Sequence, residues 1–349
     1  MYALHRFCLA IAPYISLIEL SQSMSLLPKP INNNQKKNQG EVVMTRSKMS
    51  FVTVDTISPF TRRNADGKDS PFEGIKWDEA EVEIHNGRLH DLTFDKNGFQ
   101  LVPHSIPEQI DFLDISDIVD NYYPLCRDLL ASHLGSGVDV YPFDHNVRSN
   151  AMKRSPSSND EQIILEPIRV VHADYTAVSA PKRLEQLSQA PKVNDIHRRF
   201  LKEHETLLDS KQVEQILLGK RRFVFANVWK SIDKQAPVLQ QPLACMDAES
   251  LEKEQLRTFS IYYEDRVGEN YFVTNQATQR WFYFPQMTHD EAILLKQWDS
   301  SGDFALNKTS KCISTFSAHS AFIDPNSPHD APPRESIEVR CVVIYPETS

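Results

Sequence analysis

Residues 222–229 read RFVFANVW, and this stretch decides the fold class. Its side chains alternate in the manner of a β-strand, in which successive residues point to opposite faces. The chain ends in a second stretch of this kind, SIEVRCVVI at residues 336–344. Shorter strand-like stretches lie at 163–171, 258–263, 271–274, 280–284 and 315–322. The second half of the chain is therefore predicted to consist mainly of short β-strands.

Helical spacing of apolar residues occurs before most of the predicted strands. It covers about 107–134 and about 193–218, where Gly219 supplies a C-terminal signal. A further short helix is predicted over 288–298, with Thr288 and Glu291 as a capping box. This order of elements predicts a mainly β fold with flanking helices (α+β), namely a double-stranded β-helix, or cupin-like jelly roll.

Residues 1–50 differ from the rest of the chain. Their apolar run is short and is broken by Pro13, and NNNQKKNQ at 32–39 has no apolar period. We expect 1–50 to be a disordered or misassigned N-terminal extension, with a signal peptide as the alternative. Residues 51–349 are then predicted to form a single jelly-roll domain.

Composition excludes several function classes. The chain has 38 Lys and Arg against 47 Asp and Glu, a formal net charge of −9, which argues against nucleic acid as the main partner. The ten glycines form neither G-x-G-x-x-G nor a G-K-[ST] loop, so dinucleotide-binding enzymes, classical methyltransferases and P-loop NTPases are disfavoured. No apolar run is long enough to cross a membrane. Five cysteines without C-x-x-C spacing indicate reduced thiols in a cytoplasmic protein.

Only two histidines stand two residues before a carboxylate. His172 and Asp174 follow a strand-like stretch, where residues i and i+2 share a face and can meet one metal ion. His289 and Glu291 begin the predicted helix, where i and i+2 diverge. His319, on a distant strand-like stretch, is the candidate third ligand. Two histidines and one carboxylate are typical of Fe(II) oxygenases, although many buried histidines only satisfy hydrogen bonds.

The last strand brings a possible anion site. Alternation places Arg334, Ser336, Glu338 and Arg340 on one face. A guanidinium and a hydroxyl suit a carboxylate, because a buried arginine without an anion is costly. Arg334 with Ser336 is the first candidate pair, and Arg340 is the alternative arginine. An exposed strand with alternating charges would explain the same pattern without any ligand.

A substrate contact is predicted more weakly on the strand at 222–229. Asn227 and Trp229 share one face and would line a cavity there. A core tryptophan beside a hydrogen-bonded amide explains them equally well.

The order of these motifs resembles one fungal family, the AsaB-like and gibberellin desaturase (CmcJ-like) family of Fe(II)/2-oxoglutarate-dependent oxygenases. The resemblance covers about residues 80–345 and is most specific in the C-terminal block. The stretches that carry it are HADYT at 172–176, NVW at 227–229, PLA at 242–244, WFYFPQMT at 281–288, HSAFIDP at 319–325 and PRESIEVR at 333–340. The chain has Lys230-Ser231 where the family often has Arg-Pro.

The resemblance implies a double-stranded β-helix that uses Fe(II), 2-oxoglutarate and O2 on a small molecule of fungal secondary metabolism. The substrate would be a carboxylate or an amino-acid-derived compound, and the outcome hydroxylation, desaturation or ring formation. By matching position, His172, Asp174 and His319 would bind iron, and Arg334 and Ser336 would bind 2-oxoglutarate. No catalytic residue is implied beyond the iron ligands. A cupin-like metal enzyme without 2-oxoglutarate and a non-catalytic jelly-roll binding protein are the alternatives.

Overall fold

The fold is known from a computed structural model that describes residues 42–64, 69–149, 164–192, 194–309 and 312–347. Its strands are β1 (Met44–Val52), β2 (Phe60–Arg62), β3 (Trp77–Asn86), β4 (Phe99–Pro103), β5 (Asp139–Ser149), β6 (Ile164–Leu165), β7 (His172–Ala173), β8 (Phe223–Ser231), β9 (Leu243–Met246), β10 (Leu256–Tyr262), β11 (Val267–Val273), β12 (Trp281–Tyr283), β13 (Glu291–Asp299), β14 (His319–Ala321) and β15 (Glu335–Ile344). Its α-helices are α1 (Phe94–Asn97), α2 (Ile115–Asp117), α3 (Tyr123–Leu134), α4 (Ser179–Gln186) and α5 (Ser210–Leu217). A π-helical turn at Ile118–Tyr122 joins α2 to α3.

The strands form two sheets. A six-stranded sheet has the order β4-β13-β8-β15-β5-β6, and a nine-stranded sheet has the order β1-β3-β12-β9-β14-β7-β11-β10-β2. The second sheet curls back on itself, because Ser50 of β1 bridges Val170 just before β7. Two facing sheets of mostly antiparallel strands, with α3 packed on the outer face of the six-stranded sheet, confirm the predicted jelly roll.

Alternation along β8 and β15 separates their two faces as predicted. Val224, Val228 and Ile337 pack with Tyr122 and Leu130 of the helical layer in one apolar core. The opposite face of β8 and β15 carries Asn227, Trp229, Ser336, Glu338 and Arg340, and all but Arg340 are buried. The polar residues of the last strand therefore face the interior between the two sheets, and the exposed-strand alternative is wrong.

The helix predicted over 288–298 is wrong. Thr288 and Glu291 do interact, since the Thr288 backbone N–H donates to Glu291 Oε2 at 2.9 Å. The chain then enters strand β13, which pairs with β4 on one side and β8 on the other. A capping pattern is local, whereas two strand partners and a fully buried run such as Leu294-Leu295 are tertiary and override it.

The boundaries of other predicted elements differ from the observed ones. Within 107–134 helical structure begins at Ile115, and 193–218 holds a 3-10 turn at Ile196–Arg199 before α5. The strand-like stretch at 315–322 shortens to β14, because the strands around the site pair over only a few residues. The N-terminal prediction falls mostly on residues 1–41, which lie outside the described ranges, but β1 places 44–50 in the sheet.

Among the described residues, no helix has the length and apolarity needed to cross a membrane.

Lys230 provides a test of the core beneath β8. The side chain is fully buried, and its Nζ donates to the His104 carbonyl oxygen at 3.2 Å. Burial lowers the pKa of Lys230 from 10.5 to about 8. That difference corresponds to about 3 kcal/mol of disfavoured charge at neutral pH, and the lost hydrogen bond offsets about 1 kcal/mol. We therefore expect Lys230→Met to raise the free energy of unfolding at pH 7 by about 2 kcal/mol, measured by urea denaturation.

The stability gained by Lys230→Met should decrease as the pH rises. The unfolded chain binds more protons than the folded one between the folded pKa of about 8 and the unfolded pKa of 10.5, so the wild type gains stability as pH rises through this window. The advantage of the variant should therefore shrink from pH 8 to pH 10.5. An advantage that is absent at pH 7, or that grows with pH, would contradict the burial of an ammonium group here.

Candidate metal centre

Two short strands of the nine-stranded sheet bring His172 of β7 and His319 of β14 together, and Asp174 directly follows β7. Strand β14 lies between β9 and β7, and His319 is directly opposite His172 in the ladder. Directly paired residues of antiparallel strands point to the same face, so both imidazoles enter the space between the sheets. Their ring centroids are 4.5 Å apart. Strand pairing therefore joins two histidines that are far apart in the sequence.

The three side chains have the spacing of a metal site. One ligand atom from each lies within 4.8 Å of the other two, and no other His, Cys, Asp and Glu group in the described part of the chain meets this condition. His172 Nε2 is 3.6 Å from Asp174 Oδ1. Both histidines are buried and Asp174 is nearly so, which keeps the cluster away from bulk water.

Backbone contacts orient both imidazoles. His172 Nδ1 lies 2.8 Å from the Val170 carbonyl oxygen, and His319 Nδ1 lies 3.4 Å from the Ser317 carbonyl oxygen. A proton on each Nδ1 leaves Nε2 as the metal-binding atom. Burial lowers the pKa of His172 to about 4 and also lowers that of His319, so both rings are neutral at physiological pH. Neutral imidazoles with free Nε2 lone pairs are suited to bind a divalent metal ion.

Asp174 is held in its ionised form. Burial by itself would raise its pKa, but Arg340 and the two imidazoles keep the pKa at about 2. Arg340 Nε is 3.6 Å from Asp174 Oδ2, and Asn227 Nδ2 donates to the same oxygen at 3.3 Å. Arg340 also binds Asp144 at 2.7 Å. Asn227, predicted as a weak substrate contact, therefore contacts a candidate metal ligand.

The competing pair, His289 and Glu291, lies outside this cluster. Arg88 binds both oxygens of Glu291, at 2.6 and 2.8 Å, so that carboxylate is occupied. The sequence disfavours this pair because it predicts a helix there, in which residues i and i+2 diverge. The engagement of Glu291 by Arg88, rather than a helix, separates them from metal binding.

Arg334 and Ser336 form a pair of unsatisfied polar groups. Arg334 is 3% exposed, its guanidinium lies 5.5 Å from the ring centroid of Trp229, and its Nη1 donates to the Gln241 carbonyl oxygen at 2.6 Å. Arg334 Nε and Ser336 Oγ are buried, and neither has a hydrogen-bond partner among the residues that the structure describes. Such groups are costly unless an anion completes them. Arg340, by contrast, already has carboxylate partners.

Sequence reasoning missed the residues that support the site from other strands. Asp144 holds Arg340 from β5, and Gln297 of β13 accepts from the Asp174 backbone N–H at 3.4 Å. Arg148 of β5 also faces this region, opposite Ser336 in the ladder. None of them belongs to a local motif, so only strand pairing identifies them.

Comparison with known proteins identifies the family of this chain and several relatives. Residues 49–344 match the protein family described as the oxidoreductase/YMDC permease-like domain. The "uncharacterized protein in dcmA 3′ region" of Methylophilus leisingeri is 38% identical over 178 residues, which are 50% of this chain and 81% of that protein.

Two fungal relatives have named activities. A hydroxylase/desaturase of Hormonema carpetanum is 28% identical over 84% of this chain and 95% of its own length. The Fe(II)/2-oxoglutarate-dependent dioxygenase NvfI of Aspergillus novofumigatus is 29% identical over 77% of this chain and 85% of its own length. A solved structure titled iron and alpha-ketoglutarate-dependent endoperoxidase NvfI superposes with a TM-score of 0.67 at 22% identity, covering 87% of this chain and 99% of that chain. This likeness supports the fold.

Proposed function

The chain belongs to the oxidoreductase/YMDC permease-like family, and from this premise we propose that it oxidises a small molecule at an Fe(II) held by His172, Asp174 and His319. The resemblance to fungal Fe(II)/2-oxoglutarate-dependent oxygenases is confirmed by the named relatives, and the chain is an oxidoreductase of this class. The convergence of two neutral imidazoles and one ionised carboxylate carries the proposed ligand set.

The donor set fits ferrous iron. Two imidazole nitrogens and one carboxylate oxygen on one side of an ion leave its remaining positions open for ligands. When bound, Fe(II) with 2-oxoglutarate and O2 supplies the oxidising power that removes hydrogen from an unactivated C–H bond, while 2-oxoglutarate becomes succinate and CO2. Arg340 and Asn227 keep Asp174 ionised and fix its orientation.

We propose that Arg334 and Ser336 bind the distal carboxylate of 2-oxoglutarate, the one away from its keto-acid end. The free Nε and Oγ would each gain a hydrogen bond, and the charge of Arg334 would be neutralised. The Trp229 ring holds the guanidinium from one side. Trp229 packs with buried Leu243, Phe282 and Phe284, and this apolar wall excludes water from the same space.

We propose that the reaction is a hydroxylation, a desaturation or a ring formation, and that it serves fungal secondary metabolism. Placement of the substrate relative to the iron decides among these outcomes. We also propose a cytoplasmic location, which agrees with four free cysteines among the described residues.

Anaerobic titration tests the assignment. Fe(II) and 2-oxoglutarate added to the metal-free protein should bind at one equivalent each and produce a weak visible charge-transfer band. Addition of air should then release succinate. A folded protein that gives iron binding without the band would favour the cupin-like alternative, and one that binds no iron would contradict the proposal.

A further inference from the structure

Four aromatic side chains form a partly exposed cluster around strands β10 and β11. We call this cluster, made of Phe72, Trp77, Phe259 and Phe272, the aromatic shelf. Phe272 stacks on Phe259 with ring centroids 4.3 Å apart, and Phe72 meets Phe259 edge-on at 5.3 Å. The Trp77 ring lies 6.2 Å from Phe72 and 6.3 Å from Phe272. Phe72 and Trp77 are 43% and 45% exposed, and the other two rings are buried, so the shelf has a buried floor and an open edge.

Two contacts join the floor of the shelf to the metal ligand His172. Phe272 is directly opposite His172 in the ladder of β11 and β7, and directly paired residues of antiparallel strands point to the same face. Val170 shares that face, because it lies two residues before His172. It packs against the apolar cluster that contains Phe259 and Phe272, and its carbonyl oxygen is 2.8 Å from His172 Nδ1. The floor of the shelf therefore begins beside the imidazole.

Strand register directs Trp77 to the same face. Trp77 is paired with Val52 in the ladder of β1 and β3, so the two side chains point to one side of the sheet. Val52 packs with Phe259 and Phe272 in the same apolar cluster. The shelf is therefore one continuous apolar surface that runs from the neighbourhood of His172 to solvent.

The chemistry of the shelf suits a neutral apolar ligand. Its four side chains carry no charge, and the indole N–H of Trp77 is their single hydrogen-bond donor. Aromatic side chains bind other rings by offset stacking and by edge-to-face contact. Contiguous exposed apolar surface beside a functional site is typical of ligand binding.

A second copy of the chain fits the shelf less well than a small molecule does. An aromatic side chain has about 150–250 Å² to bury, so two rings that are less than half exposed offer about 200 Å². A stable dimer buries about 800 Å² on each partner. The open edge therefore has the size of one ring system rather than of a subunit interface.

We propose that the aromatic shelf binds the ring body of the organic substrate and so holds its reacting carbon near His172. This inference rests on the proposed function and deepens it by naming the substrate class, a neutral molecule with an aryl group or fused carbon rings. The buried floor contacts the part of the ring system nearest the metal centre. Phe72 and Trp77 cover the part that points to solvent.

Neutral 6-fluoro-2-naphthol is the probe that tests the inference, with ¹⁹F NMR as the readout. The metal-free protein is loaded with Mn(II) or with Zn(II), and saturating 2-oxoglutarate fills the cosubstrate site. One equivalent of the naphthol should bind, and Mn(II) but not Zn(II) should broaden its signal, because a paramagnetic ion relaxes only nuclei near it. Trp77→Ala and Phe72→Ala should each weaken naphthol binding at least about tenfold, with 2-oxoglutarate affinity unchanged.

The matched control is Tyr262→Ala. Tyr262 is a 39% exposed aromatic residue on β10, but alternation along the strand directs it to the face opposite Phe259, so its loss should leave naphthol affinity unchanged. Labelling with 5-fluorotryptophan gives a readout that remains informative if an alanine variant does not fold. Unfluorinated 2-naphthol should shift the signal of Trp77, identified by its absence in Trp77→Phe, and leave the signals of the three buried tryptophans in place.

The outcomes separate the two proposals. Absence of the charge-transfer band in the wild type with Fe(II) and 2-oxoglutarate would refute the proposed function. With the band intact, the inference is overturned if the naphthol does not bind, if Mn(II) leaves its signal sharp, or if the shelf substitutions weaken binding no more than Tyr262→Ala does. It is also overturned if 6-fluoro-2-naphthoate binds more tightly than the naphthol. Sedimentation that shows a dimer converted to a monomer by Trp77→Ala would make the shelf a subunit interface instead.

Discussion

Replacement of His172 by alanine is expected to abolish stoichiometric iron binding and to lower succinate formation to less than about a hundredth of wild type. Loss of groups that merely orient a metal ligand costs about 10- to 100-fold, so loss of a ligand costs more. His319→Ala should have the same effect, because the two imidazoles face each other across one strand pair. Iron content after anaerobic reconstitution and succinate release provide the measurements.

His289→Gln is the matched control for this experiment. His289 also precedes a carboxylate by two residues, but Glu291 is bound by Arg88, so iron content should remain at the wild-type level. Full iron content in His172→Ala, or its loss in His289→Gln with the fold retained, would contradict the ligand set. Circular dichroism of both variants would confirm that the fold is intact.

Arg334→Met should weaken 2-oxoglutarate binding by at least about thirtyfold while iron binding persists. Truncating one partner of a buried charge pair costs about 2–5 kcal/mol, and each 1.4 kcal/mol is tenfold. The charge-transfer band should therefore appear only at much higher 2-oxoglutarate concentrations. A cupin-like enzyme without the cosubstrate would show no such change in the variant.

The same substitution should not destabilise the protein without ligands. Burial lowers the pKa of Arg334 to about 9, which reflects the unfavourable position of its charge when no anion is bound. Methionine removes that charge, so the urea midpoint of the metal-free variant should equal or exceed that of wild type. A large loss of stability, with 2-oxoglutarate affinity unchanged, would make Arg334 a structural residue. Arg334→Lys, which keeps a cation, should retain part of the affinity.

The sequence anticipated the site best where a pattern acts over one strand. The i, i+2 spacing of His172 and Asp174, and the shared face of Ser336 and Arg340, follow from the period of a β-strand. It failed at 288–298, where a local capping pattern indicated a helix although β4 and β8 supply strand partners on both sides. The strands predicted around β7 and β14 are also longer than the observed ones, because β7 and β14 pair over very few residues.

The sequence by itself determined the class of fold, the class of chemistry and the candidate ligands, because residue type and strand period are local properties. Only the tertiary structure decided that His319 is the strand partner of His172, that Arg340 serves Asp174, and that Arg334 has unsatisfied donors. Those facts depend on which strands pair and in which register. Strand pairing is set by burial summed over the whole chain, and no short stretch of sequence contains it.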